Sequence, residues 1–204
     1  MKNAAKEREV TKKQSFHERL GEVYCEDRAA WRRWLEANHE EEEGVWLVYW
    51  KVATKEPSIR WEDAVREALC FGWIDSTIQP LDARRHRQVF SPRKAKSVWS
   101  AVNKGYIKEL EADGLICEAG RAKIDAAKAD GSWNALDDVE ALIIPQELED
   151  ALRAESDALF DAFNALGKTK KKQALYRLFL AKREPTRAKR IREIVEQCAQ
   201  LLHG

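Results

Sequence analysis

The sequence predicts an α+β fold in which a small, mainly antiparallel sheet is packed with helices and followed by an all-helical C-terminal region. Three observations predict it. The run VWLVYW at 45–50 is apolar throughout, as in a strand that is buried on much of both faces. Two segments between residues 73 and 91 have the period of two that is typical of a hairpin. Beyond residue 134 the apolar residues follow helical spacing.

These patterns divide the chain into three predicted parts. A flexible N-terminal tail is predicted at 1–22, because this segment is charged and aperiodic. An α+β core domain is predicted at 23–134, and a helical region at 135–204.

Composition limits the classes of protein to which the chain can belong. Its 204 residues are 44% hydrophobic and 35% charged, with a formal net charge of +1, so no strong overall attraction to nucleic acid is expected. The N-terminus lacks the apolar core of a secretory signal, and no segment approaches the roughly 20 apolar residues of a membrane span. The four cysteines form no Cys-x-x-Cys pair, which is typical of free thiols in a reducing compartment. We therefore expect a cytoplasmic location without membrane insertion.

The first helices are predicted from caps and apolar spacing. Asp27 is a predicted N-cap for a helix whose Trp31, Trp34 and Leu35 share one face. A second helix follows the strand at 45–50, and Gly72 is predicted to end it through a left-handed backbone conformation. The apolar face of this second helix is formed by Trp61, Val65, Ala68 and Leu69.

The hairpin after Gly72 carries alternating side chains. In its first strand, Ile74 and Ile78 are predicted to point inward, with Asp75 and Thr77 on the other face. A turn is predicted at 80–83 and the return strand at 85–91.

A basic segment without acids extends from residue 83 to residue 108. Two interpretations of Asp75 opposite its arginines stay open. Either Arg84 or Arg87 holds the carboxylate in place to orient a ligand, or the charges form ordinary cross-strand ion pairs. The eight cations of the segment are Arg84, Arg85, Arg87, Arg93, Lys94, Lys96, Lys104 and Lys108.

A helix start follows this strand. Ser97 is the predicted N-cap of a helix from Val98 to about Ala112, and cations at 93, 94 and 96 precede it. Free backbone N–H groups and the helix dipole favour an anion or phosphate at such a terminus. The alternative is an ordinary capped helix with a solvated basic approach.

Together these segments predict a ligand-binding groove with aromatic walls and a few polar groups. We expect it to hold a small anionic or peptide-like ligand, or a protein partner. No catalytic residue, metal ligand or cofactor is predicted, since no GxSxG, HExxH or paired metal-ligand motif is present. The candidate ligand-binding residues are Trp73, Asp75, Arg84, Arg93, Ser97, Trp99, Ser100 and Asn103.

The helical region has strongly polarised charge. Nine acids and one arginine lie at 137–161, whereas eleven bases and one glutamate lie at 168–192. The basic stretch either binds nucleic acid or an anionic surface, or pairs with the acidic helices inside the fold; the second interpretation is favoured. A candidate basic surface comprises Lys182, Arg187 and Arg190. The terminal helix is predicted to bury Ile191, Ile194, Val195, Cys198, Leu201 and Leu202.

Four segments resemble one family. They are EALCFGWIDS, FSPRKAKSVWSAVNK, YIKELEADGLICEAG and ALYRLFLAKREPTRAKRI, and they resemble the bacterial YdeI/OmpD-associated family, also called bacteriocin-protection proteins. The resemblance extends from about Trp31 to Val195, with departures at Arg60 and at Ile116-Cys117. It implies protection against bacteriocins and cationic antimicrobial peptides and an association with a porin, without a catalytic mechanism. The tightest matches are Gly72, Trp73, Ile74, Asp75, Pro92, Arg93, Ser97, Trp99, Ser100, Asn103, Lys182, Thr186, Arg187 and Arg190.

The predicted function is therefore that of a soluble bacterial stress or antimicrobial-peptide protection protein that acts as a ligand- or partner-binding module. Two alternatives stay open. One is a nucleic-acid-binding module that uses the basic hairpin and the C-terminal basic helices. The other is an enzyme that uses Asp75.

Overall fold

A four-stranded sheet forms the first part of the molecule in a computed structural model that describes residues 14–203. Its strands are β1 Glu22–Tyr24, β2 Val45–Trp50, β3 Trp73–Pro80 and β4 Arg85–Pro92, in the spatial order β1-β2-β4-β3. β1 is parallel to β2, and the other neighbours are antiparallel. The prediction of a mainly antiparallel α+β sheet is confirmed.

Helices make up most of the rest of the described chain, and the part after residue 134 is helical, as predicted. They are α1 Phe16–Arg19, α2 Arg28–Asn38, α3 Trp61–Cys70, α4 Ala101–Ala112, α5 Glu118–Asp130, α6 Asp137–Glu140, α7 Gln146–Glu155, α8 Asp157–Ala165, α9 Lys168–Leu180 and α10 Glu184–His203.

The chain folds into two compact units. Among the described residues, the sheet unit comprises those up to Lys94 together with Leu110–Lys123, and the helical unit comprises Ala95–Glu109 and those from Ile124 onward. The helices α4 and α5 therefore each contribute residues to both units. The domain limits predicted at 22/23 and 134/135 stay predictions.

The predicted flexible tail is described from residue 14, and residues 1–13 lie outside the described part. The segment 16–19 forms α1, whose His17 carbonyl accepts a hydrogen bond of 3.0 Å from the Trp46 indole. The Gly21 carbonyl accepts another of 2.9 Å from the backbone of Trp46. The described part of this segment is thus hydrogen-bonded to β2, and the flexible tail stays a prediction.

The core of the sheet unit forms where α2 and α3 meet the sheet. Asp27 caps α2 as predicted, since its carboxylate accepts a hydrogen bond of 2.7 Å from the Ala30 backbone. Val45 to Tyr49 of β2 are all buried, which confirms a strand covered on both faces. Gly72 ends α3 with φ +72°, a conformation that glycine adopts without a Cβ penalty.

The side chains of β3 that point to the core are not the predicted ones. Ile78 is 61% exposed rather than buried, whereas Trp73 on the opposite set is buried. Trp73 precedes the bulge between Asp75 and Ile78, so the face that carries Trp73, rather than the one that carries Ile74, is the core face from the start of β3. The period of two therefore predicted the strand correctly but placed Ile78 on the wrong face.

The start of α4 also differs from the prediction. The helix begins at Ala101 rather than Val98, and the cap is Ser100, whose hydroxyl accepts a hydrogen bond of 3.2 Å from the backbone of Asn103. Lys96 occupies a left-handed turn with φ +60°. After this left-handed residue, α4 begins about one helical turn later than predicted.

The helical unit has its own apolar core. Ser156 separates α7 from α8, because its side chain caps α8 at the Leu159 backbone. At the end of α10 the prediction is wrong, since Leu201 is 57% exposed and Leu202 is also exposed. The most buried members of the core are Leu148, Leu152, Phe163, Leu175, Leu178 and Cys198.

Glu140 gives the helical unit a measurable pH dependence. Burial raises the pKa of its carboxyl, but the hydrogen bonds from Lys172 and the Ala101 backbone outweigh burial and lower that pKa below the ordinary value. A lowered folded-state pKa stabilises the fold above the unfolded-state pKa, and this stabilisation is lost as the pH falls through the folded-state value. Glu140→Gln should cost up to about 1 kcal/mol at pH 7, since solvent screens the pair.

Urea denaturation at pH 7 and at steps between pH 5 and pH 3 checks this expectation. The loss caused by Glu140→Gln should shrink as the pH falls through that range. Lys172→Gln removes the same pair from the other side and should give the same convergence with the parent protein. A loss that stays constant with pH would contradict this role of Glu140.

Candidate functional site

Asp75 lies in a polar cluster within the sheet unit. Its Oδ2 atom accepts hydrogen bonds of 3.0 Å from the Trp61 indole and 2.7 Å from the amide of Gln88, which is buried. Neither of the predicted arginines holds it. The carboxylate is therefore oriented by neutral donors on α3 and β4.

Strand register explains why the arginines are elsewhere. Asp75 is opposite Phe90, so it shares a face with Phe90 and Gln88, while Arg87 points to the other face. Arg87 pairs with Glu22 and lies 4.2 Å from the Trp46 ring, and Arg84 pairs with Glu56 at 2.9 Å. Asp75 is therefore neither held in place by Arg84 or Arg87 nor paired with either of them across the strands, and both predictions are wrong.

Two further polar groups are buried in the sheet unit near Asp75. Arg93 is 4% exposed, and burial lowers the pKa of its guanidinium to about 10, while the charge of Asp75 acts in the opposite direction. Burial raises the pKa of Tyr49, and the charge of Asp75 raises it further. Within residues 14–203 the buried Tyr49 hydroxyl has no hydrogen-bond partner. Trp73 is also buried, and its indole donates to the His39 carbonyl at 3.2 Å.

The other four predicted residues belong to the helical unit. Trp99 is buried with its ring 5.0 Å from that of Trp133, and Ser100 caps α4. The backbone of Ala101 donates to Glu140 at 3.3 Å, so amides of the first turn already have acceptors. This arrangement favours the ordinary capped helix over the anion site. Ser97 and Asn103 are half-buried.

The eight candidate residues are therefore divided equally between the two units. Trp73, Asp75, Arg84 and Arg93 belong to the sheet unit, whereas Ser97, Trp99, Ser100 and Asn103 belong to the helical unit. Their assembly into one groove stays a prediction.

His86 has a packing role in the sheet unit. Its ring stacks on that of Tyr49 with centroids 5.0 Å apart and an angle of 4° between the planes. Burial lowers the pKa of His86, and the charge of Lys51 lowers it further.

Among residues 14–203 no group of three His, Cys, Asp or Glu side chains could hold a metal ion.

The basic stretch of the helical unit pairs internally. Arg187 pairs with Glu147 on α7 and also donates to the Leu178 carbonyl at 3.0 Å. Arg190 donates to Glu193 at 2.6 Å, and the ammonium of Lys182 lies 3.9 Å from the Phe179 ring centroid. The pair between Arg187 and Glu147 supports the interpretation in which the basic and acidic helices pair with each other, whereas the pair between Arg190 and Glu193 lies within α10.

Sequence reasoning missed a cleft among α8, α9 and α10. It has a volume of about 610 Å³, within the range of small-molecule sites. Three helices that are separate in sequence form it, so no single periodic pattern reveals it. Its apolar lining consists of Phe163, Leu166, Ala174, Ile194, Cys198 and Leu201.

The charged part of the cleft lining is entirely basic among the described residues. It consists of Lys170 and Arg177 on α9 and Arg190 on α10. Arg177 and Arg190 both donate to one carboxylate oxygen of Glu193, at 3.0 and 2.6 Å. Two cations thus share a single acid, and the cleft keeps an excess of positive charge.

Within the described part of the chain, each helix is too short or too polar to serve as a membrane span. Fold and cleft together define an α+β protein whose helical unit has a ligand-sized apolar cleft with a basic rim.

The C-terminal part of this protein matches a known family. Residues 141–200 match the family described as bacteriocin-protection, YdeI or OmpD-associated, which confirms the predicted family over this part of the chain. The predicted resemblance began near Trp31, but residues 23–123 instead match a domain of unknown function (DUF8412). No curated protein and no solved structure matched the chain.

Proposed function

We propose that this protein is a bacterial stress or bacteriocin-protection factor that acts by binding a small ligand in the cleft of α8, α9 and α10. The observation that carries the proposal is the position of the cleft. Nearly all of its lining lies within residues 141–200, the segment that matches the bacteriocin-protection family.

Chemistry of the cleft supports binding. An apolar lining with a few polar groups at its edge is the usual composition of a small-molecule site. Lys170, Arg177 and Arg190 supply the polar edge, and Phe163 and Ile194 belong to the apolar lining. The pairing of Arg187 with Glu147 weighs against the nucleic-acid alternative, because a paired cation releases few counterions on binding.

A cleft-filling substitution tests the proposal. Ala174 lines the cleft and is half-buried, so Ala174→Trp should occupy the space that a ligand would need. In a bacterial host challenged with a bacteriocin, survival with this variant should fall to that of cells without the protein. Survival counts across a bacteriocin dilution series, with equal soluble protein levels, measure the effect.

Ala154→Trp on α7 is the matched control, because Ala154 is exposed and lies outside the lining of the cleft. It should protect as well as the parent protein. Full protection by Ala174→Trp would overturn the assignment of function to the cleft, and equal loss in both variants would do the same.

A further inference from the structure

We propose that the cleft of α8, α9 and α10 binds an anionic amphiphile, a fatty carboxylate whose chain lies on the apolar lining and whose head group meets Lys170, Arg177 and Arg190. The inference rests on the proposed function and names its ligand class.

Charge selects an anion over a cation for this cleft. The three charged residues in its lining are all basic, and the one carboxylate that pairs there, Glu193, is shared by Arg177 and Arg190. Lys170 is exposed and has no carboxylate partner among the described residues. A ligand carboxylate can therefore pair with Lys170 without displacing an existing ion pair.

The apolar lining favours an anion that carries a hydrocarbon chain over a small anion without one. The lining includes Phe163, Leu166, Ile194 and Leu201, and a cavity of about 610 Å³ is far larger than a carboxylate alone requires. Leu201 is more than half exposed, so a bound chain would remove its surface from water. Each buried methylene should raise the affinity about fourfold.

Dodecanoate below its micelle concentration is the probe. Titration calorimetry on the full chain should show saturable binding of dodecanoate, weaker binding of octanoate, and none of acetate. Dodecyltrimethylammonium, with the same chain and the opposite charge, should bind much more weakly. Methyl NMR shifts on adding dodecanoate should centre on Ile194, Leu166 and Leu201.

The head-group assignment has a matched pair of variants. Lys170→Gln should weaken dodecanoate binding about tenfold, the loss expected for a charge-assisted hydrogen bond. Lys168→Gln, two residues earlier on the same helix and outside the lining of this cleft, should bind like the parent protein.

Three results would overturn the inference: no binding of dodecanoate, stronger binding of the cationic amphiphile, or NMR shifts centred outside the cleft. The survival assay separates this inference from the proposed function. If Ala174→Trp abolishes protection while dodecanoate fails to bind, the cleft keeps its function and the ligand class is wrong.

Discussion

Replacing Gly120 by alanine is expected to destabilise the sheet unit by about 3 kcal/mol or more, because an added methyl group would overlap backbone atoms. A Cβ atom at Gly120 would lie 2.2 Å from the carbonyl oxygen of Cys70 and 3.0 Å from that of Leu69. Both atoms belong to the backbone of α3, so no side-chain rotation can relieve the overlap. The start of α5 would have to move away from the end of α3, and the Cys117–Cys70 backbone hydrogen bond of 3.0 Å would be lost.

Gly105→Ala provides the matched control for this substitution. Gly105 lies inside α4, and no atom is within 4 Å of the position of an added Cβ. Alanine should therefore stabilise the protein by about 0.5–1 kcal/mol through its lower backbone entropy in the unfolded state. Urea denaturation followed by circular dichroism measures both variants. Equal stability of the two would show that α5 does not approach α3 this closely.

Local sequence signals predicted the elements of this fold well, because caps and terminators act within one turn of the chain. Asp27 caps α2, and Gly72 adopts a φ value of +72° after α3. The close approach of Gly120 to α3 was not predictable in this way. It depends on the distance between two helices, and the sequence contains no pattern with that information.

Strand register and helix packing explain why the contacts of Asp75 and the cleft were not predicted from the sequence. The period of two does not say which face of β3 meets the core, so Ile78 was predicted to point inward although it is exposed, and strand register placed Arg87 on the face opposite Asp75. Polar donors to Asp75 come instead from α3 and β4, at Trp61 and Gln88. The cleft depends on the packing of three helices, so the helical spacing predicted the helical region and its terminal helix without predicting the space among α8, α9 and α10.

Trp31→Ala is expected to cost about 3–5 kcal/mol, the usual range for removing a fully buried tryptophan. The Trp31 side chain is fully buried, its ring stacks on Trp34 at 5.1 Å, and it meets Phe90 edge-on at 5.4 Å. Its indole also donates to the Ala64 carbonyl at 3.0 Å, which joins α2 to α3. One substitution would therefore remove apolar contact with the sheet and a bond between two helices.

Trp61→Ala is the control for Trp31→Ala. It shows whether the loss of stability depends on the burial of the tryptophan that is removed. Trp61 is 42% exposed, and its indole donates to Asp75. Its removal should lower the urea midpoint clearly less than the removal of Trp31, since less apolar surface leaves the core. Comparable losses in the two variants would contradict a core centred on Trp31. A larger loss at Trp31 would show that the contact of Trp31 with α3 and the sheet contributes more to the stability of the sheet unit than the contact between Trp61 and Asp75 does.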